Sequence, residues 1–154
     1  MNKVSNAVIL FFAQGAYSGR FPVMPGTAGT LVGVLLYFGM ARLSPASYGV
    51  VCVLIFLAGS WAAGRAEVIL GNRDSPSIVV DEITGYLAAM FLVPPSWGFV
   101  VAGFTLFRIF DILKPWPLKR LQDLHGGPGV MLDDIGAALY TNLVLRIAAH
   151  LIAR

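Results

Sequence analysis

Residues 48–70 read Tyr-Gly-Val-Val-Cys-Val-Leu-Ile-Phe-Leu-Ala-Gly-Ser-Trp-Ala-Ala-Gly-Arg-Ala-Glu-Val-Ile-Leu, with no charge before Arg65. About 20 apolar residues in an α-helix cross the roughly 30 Å hydrocarbon core of a bilayer, because each rises about 1.5 Å. The run therefore predicts a membrane-spanning helix. The rest of the chain agrees. Of its 154 residues, 57% are hydrophobic and only 12% charged, about half the charged share of a globular domain. A soluble chain this small needs polar groups to cover its surface. The composition excludes an ordinary soluble enzyme, a disordered segment and a nucleic-acid module with a basic face. The single cysteine, Cys52, lies among valines and leucines inside the run. It offers no intrachain disulfide, and an apolar setting does not favour a thiolate.

Working outward from 48–70, further apolar spans are expected at 30–43 (or from Thr27), 78–93, 97–113 and 133–152. Ser44–Ser47, Gly71–Ser77 and Pro94–Ser96 are the connections. Pro115 disfavours helix at Lys114 and ends the fourth span; a polar stretch runs from there to Leu132. Residues 4–17 are too short to cross and read as a short helix, interfacial or re-entrant. No cleavable signal and no internal repeat is evident. The expected fold is all-α: a polytopic helical membrane protein of about five spans plus the N-terminal helix, one domain over 1–154.

Basic residues set the orientation. With the N-terminus inside, Lys3, Arg20, Arg65, Arg73, Arg108, Lys114, Lys119 and Arg120 fall at the inner side, and Arg42 and Arg154 at the outer side. This is a positive-inside bias. Every acid (Glu67, Asp74, Asp81, Glu82, Asp111, Asp123, Asp133 and Asp134) also falls inside. The orientation rule does not concern acids, so their one-sidedness needs another cause. A single polar site at the cytoplasmic surface supplies one.

Four stretches carry the chemistry. In Asp81-Glu82-x-x-Gly85, two adjacent acids follow the apolar Ile78-Val79-Val80. Carboxylates in a membrane helix are costly and persist when paired or metal-bound. Favourable charge in a helix first turn explains one acid better than two. Gly85 leaves room for a neighbouring helix or a ligand. In Phe107-Arg108-x-x-Asp111-x-x-Lys114-Pro115-Trp116-Pro117, spacings of three keep Arg108, Asp111 and Lys114 along one side of a helix. Arg108 can fork onto a phosphate, Asp111 can ligate a hard cation, and Trp116 suits an interface. His125-Gly126-Gly127-Pro128-Gly129-Val130-Met131-Leu132-Asp133-Asp134 pairs a glycine-rich loop able to wrap an anion with two acids at an expected helix start. Pro25-Gly26-Thr27-Ala28-Gly29-Thr30 offers backbone N–H groups at a helix N-terminus, but lacks the lysine and spacing of a P-loop. Carboxylates beside phosphate-binding cations point to Mg²⁺-assisted phosphoryl chemistry, and the apolar spans point to a lipid substrate.

In order and spacing these four motifs resemble phosphatidylglycerophosphatase A over residues 25–134. The resemblance implies a Mg²⁺-dependent phosphatase of the bacterial inner membrane; the one-sided charges place the expected active site facing the cytoplasm. It implies hydrolysis of phosphatidylglycerol phosphate to phosphatidylglycerol and inorganic phosphate. On that reading Asp81, Glu82, Asp111, Asp133 and Asp134 supply the metal site and, with His125, the catalytic groups. Thr27, Arg108 and Lys114 bind substrate. The bilayer and its lipid are the partners; no nucleic acid is expected.

Other phosphatase designs are absent. There is no Asp-x-Asp-x-Thr, no Cys-x5-Arg and no Lys-x6-Arg-Pro. Attack by water is therefore expected, activated by the metal or by a carboxylate, with Asp133 or His125 as base. Two alternatives use the same residues: a small ion or solute transporter subunit exploiting its intramembrane acids, and a Mg²⁺-dependent lipid phosphotransferase.

Overall fold

The computed structural model describes residues 3–73, 75–118 and 127–154. These form six α-helices: α1 (Lys3–Ala13), α2 (Pro25–Met40), α3 (Pro45–Leu70), α4 (Val80–Ala89), α5 (Trp97–Leu113) and α6 (Gly127–Ile152), with a 3₁₀ turn at Ser18–Arg20. No strand occurs among the described residues. Two helices, α3 and α6, are 26 residues each and long and apolar enough to cross a membrane.

Helix starts fall earlier than expected where the local chemistry favours them. α2 begins at Pro25, whose ring suits the first helical position. α3 begins at Pro45, with the Ser44 hydroxyl accepting the Ser47 N–H at 3.1 Å as an N-cap. Ser44–Ser47 is thus a cap and a first turn rather than a separate connection. α6 begins at Gly127, so Asp133 and Asp134 lie two turns into the helix rather than at its start.

α4 departs most from expectation. It has 10 residues rather than the span expected over 78–93, about 15 Å of helix. A helix end leaves four carbonyls without partners, and here local turn bonds satisfy two and tertiary contacts the other two. Tyr86 and Ala88 accept backbone N–H groups from Met90 and Phe91, at 3.1 and 3.2 Å. Leu87 accepts the Tyr48 hydroxyl at 2.8 Å. Ala89 accepts the Asn142 side-chain amide at 2.8 Å, which also reaches the Phe91 carbonyl at 2.7 Å.

α4 is the buried centre. Tyr86, Leu87 and Met90 pack with Phe107 of α5 and Leu145 of α6. α2 approaches it closely: a Cβ at Gly29 would stand 2.6 Å from Val79 Cβ, so only glycine permits this spacing. The outer faces carry exposed Leu35, Leu54, Trp61, Leu139 and Ile147, an apolar perimeter unlike that of a soluble domain.

The bundle has two distinct ends. At one, Arg42 after α2 lines a pocket with Pro95 and Trp97, and the rings of Tyr48, near the start of α3, and Phe91 lie 5.8 Å apart. At the other, the start of α2, the start of α4, the end of α5 and the second turn of α6 come together.

Candidate active site

That second end is a cleft of about 330 Å³. α4 presents Asp81 and Glu82 in its first turn. α5 presents Arg108, Asp111 and, as its C-cap, Lys114. α6 presents Asp133 and Asp134, and α2 presents Pro25 and Gly26. Gly85 sits one turn behind Asp81, where a Cβ would lie 2.7 Å from the Phe107 ring and 3.1 Å from the Asp134 carbonyl. The space is taken by α5 and α6, and this close approach seats the Asp134 backbone against α4.

Lys114 stops α5 in a left-handed conformation (φ 41°, ψ 64°), its N–H donating to the Phe110 carbonyl at 2.9 Å. Its ammonium donates to Asp133 Oδ2 at 2.5 Å, while Asp133 Oδ1 accepts the Asp134 N–H at 3.1 Å. Burial alone would lower the lysine pKa. The bond to Asp133 and the charges of Asp133, Asp134 and Asp111 outweigh burial and raise it above the usual value. Arg108 Nη1 donates to Asp111 Oδ2 at 2.6 Å and lies 3.7 Å from Glu82 Oε1.

The five carboxylates therefore divide. Asp111 and Asp133 are joined to the two cations. Asp81 Oδ1, Glu82 Oε2 and Asp134 Oδ2 are buried and accept no hydrogen bond from any described residue. Asp81, Glu82 and Asp134 each offer an oxygen within 4.8 Å of the others'. Buried carboxylate oxygens without partners are costly, and three together make an oxygen-rich set suited to a hard divalent cation. The donor set fits Mg²⁺.

Thr27 lies beside Gly26 in the first turn of α2 but does not line the cleft. Its buried hydroxyl has no hydrogen-bond partner among the described residues. No side chain caps the helix, whose N-cap Met24 is left-handed. His125 lies outside the described residues, as does Gly126. From Gly127 onward the glycine-rich stretch is helix rather than an anion-wrapping loop. A Cβ at Gly127 would run into the Ser60 carbonyl, so this glycine serves the packing of α6 on α3.

Sequence reasoning missed one wall. Ser75, Pro76 and Ile78, from the connection into α4, line the cleft. Ser-Pro-Ser reads only as a turn; the available signal was its place just before the acid pair.

The phosphatidylglycerophosphatase A family matches residues 11–149. Phosphatidylglycerophosphatase A of Escherichia coli is 35% identical over 150 residues, covering 96% of this chain and 87% of the relative. The protein of the same name from Haemophilus influenzae is 36% identical over 143 residues, covering 89% and 86%. A Bacteroides thetaiotaomicron protein named "Putative phosphatidylinositol-3-phosphatase" is 36% identical over 151 residues, covering 93% and 94%. No solved structure matches the chain. With the family matched over nearly its whole length and relatives of that name covering most of it, the chain belongs to the phosphatidylglycerophosphatase A family.

Proposed function

We propose that the protein is a Mg²⁺-dependent lipid phosphatase. It hydrolyses phosphatidylglycerol phosphate to phosphatidylglycerol and inorganic phosphate at the cytoplasmic face of the bacterial inner membrane. One observation carries this reading: three carboxylates with unpartnered oxygens stand within 4.8 Å of one another, in the same cleft as Arg108 and Lys114. A phosphomonoester needs both a cation site and fixed positive donors.

In this reading residues 1–154 act as one membrane domain with five crossings, and α1 stays at the inner interface. The two-ended bundle supports it: α4 is short, yet the chain from Asp81 to Pro95 joins the same two ends as α2 and α5. The inner end is the one rich in lysine and arginine. Because its acids gather at that end and not at mid-depth, the arrangement favours surface chemistry over an ion path.

Asp81, Glu82 and Asp134 hold the metal, with Asp111 and Asp133 beside them. A bound Mg²⁺ would supply Lewis-acid charge neutralisation for phosphoryl transfer. Arg108 and Lys114 bind the phosphate, held in place by Asp111 and Asp133. The Thr27 and Ala28 N–H groups already donate to the Met24 carbonyl at 3.0 and 3.3 Å, so the further backbone donor at the start of α2 is the Gly26 N–H. A water oxygen bonds to phosphorus, its proton passing to a carboxylate or to His125. The phosphorus–oxygen bond to glycerol breaks, and the leaving alkoxide takes a proton from His125 or water. Both oxygens of Asp133 are engaged, which suits it to orienting Lys114 and leaves proton transfer to its neighbours. The acyl chains stay in the bilayer.

The name of the Bacteroides relative favours a second substrate, a 3-phosphorylated inositol lipid. Both substrates are decided by phosphate release from purified protein in mixed micelles. Release from phosphatidylglycerol phosphate that requires Mg²⁺ and exceeds release from phosphatidylinositol 3-phosphate is expected. Release that ignores chelation, or a preference for the inositol lipid, would overturn the corresponding part.

A further inference from the structure

Gln14 follows α1 and is 3% exposed. A buried side-chain amide must find partners, and both ends of this one do. Arg20 Nε donates to Gln14 Oε1 at 2.8 Å. Gln14 Nε2 donates to Ser77 Oγ at 3.0 Å. Ser77 Oγ in turn lies 3.1 Å from Ser75 Oγ, and Ser75 lines the cleft. Four side chains thus run in series from an exposed arginine to the cleft wall.

The order has a direction. Arginine can only donate, which fixes Gln14 Oε1 as acceptor and turns its NH₂ toward Ser77. Ser77 accepts there. Its 3.1 Å contact with Ser75 can run either way between the two hydroxyls, and with Ser77 donating, the Ser75 proton is left for an oxygen in the cleft. The backbone reinforces the placement. Val79 N–H donates to the Ala13 carbonyl at 2.9 Å, and the Arg20 guanidinium is braced 4.1 Å over the Tyr17 ring.

We propose that Ser75 donates a hydrogen bond to an oxygen of the bound substrate's phosphorylated headgroup, and that Gln14 is the positioning residue that aims it through Ser77. This rests on the cleft being the substrate site and not on the metal. It explains why a polar side chain is kept buried behind a turn that takes no part in phosphoryl transfer.

The test is steady-state kinetics on the full-length protein in mixed micelles at saturating Mg²⁺. Ser75→Ala and Gln14→Met should each raise KM for the phosphorylated lipid about tenfold or more, the size expected for losing one hydrogen bond to a charged group. kcat should stay within about twofold. Combined, the two should do no more than Ser75→Ala alone, since they break one chain. Gln14→Glu keeps an acceptor for Arg20 and can accept the Ser77 hydroxyl instead, which reverses the relay. Ser77 then no longer donates to Ser75, so Gln14→Glu should restore thermal stability without restoring KM. Inhibition by inorganic phosphate separates the two sources of the oxygen. A matching loss of inhibition in Ser75→Ala places the bond on the phosphate; unchanged inhibition with raised lipid KM places it on the rest of the headgroup. Wild-type KM in Ser75→Ala overturns the proposal, as does multiplicative loss in the double variant. If Gln14→Met does not fold, Ser77→Ala takes its place with the same expectation. A wild-type protein inactive on the lipid would instead refute the substrate reading.

Discussion

Lys114 Nζ and Asp133 Oδ2 meet at 2.5 Å across a sequence separation of 19 residues, tying the end of α5 to the second turn of α6. On the proposed function, in which Lys114 binds the phosphate, the contact makes that cation depend on an acid from another helix. Asp133→Asn keeps the volume but weakens the tether, and should raise KM for the lipid about tenfold. Lys114→Met removes the donor itself and should cost about a hundredfold in kcat/KM, in the range of a lost charge-assisted bond. The double variant should match Lys114→Met within about twofold, because Asp133 acts through the lysine. A double variant as poor as the product of the two singles would show that Asp133 has a separate task.

The division of the five acids predicts different responses to Mg²⁺. Asp134→Asn removes a charge from the set whose oxygens lack partners. It should raise the Mg²⁺ needed for half-maximal activity at least about tenfold and abolish any stabilisation of the protein by Mg²⁺ against heat. Asp111→Asn, which loosens Arg108, should raise lipid KM and leave the Mg²⁺ requirement nearly unchanged. Equal shifts in the Mg²⁺ requirement for both variants would place Asp111 in the cation site as well.

The all-helical architecture was readable because long apolar runs are a property of composition, and the acids and cations that line the cleft needed only spacing. What could not be read depends on contacts between distant residues. The early end of α4 is set by Tyr48 and Asn142, 39 and 53 residues from their acceptors. Gly127 reads as loop by residue type, yet it begins α6 and is glycine because Ser60 of α3 leaves no room for a side chain. Ser75 reads as turn because hydrogen bonding through Gln14 and Ser77 leaves no local periodic trace.

Asn142 carries a stability prediction. Its amide donates to two carbonyls at the end of α4, and Asn142→Leu would leave both short of a donor inside the bundle. The expected loss is about 2 kcal/mol or more, read as a lower midpoint of unfolding in mixed micelles. Thr105→Val makes the control. Its hydroxyl bonds only the Val101 carbonyl of its own helix on an exposed face, and its change should lie within about 0.5 kcal/mol. Equal midpoints for wild type and Asn142→Leu would mean that α4 ends where it does for another reason.

The chemistry itself is open to an isotope test. The sequence contains no Asp-x-Asp-x-Thr and no Cys-x5-Arg, and its carboxylates are placed to bind a cation or to hold Arg108 and Lys114. On the proposed function, direct attack by water on phosphorus is the expected route. In a single turnover in ¹⁸O-water, one labelled oxygen should appear in the released phosphate and none in the protein. A covalent route through an aspartyl phosphate would differ at an identifiable atom. Hydrolysis of the acyl phosphate at phosphorus would still label phosphate, so that label alone cannot separate the two routes. Acid quenching within the first turnover can, because it would trap phosphate on Asp81, Asp111, Asp133 or Asp134. Hydrolysis at the carboxyl carbon would instead leave ¹⁸O in that side chain. Labelled phosphate with neither mark on the protein is the expected result, and either mark would replace water with an aspartate as the nucleophile.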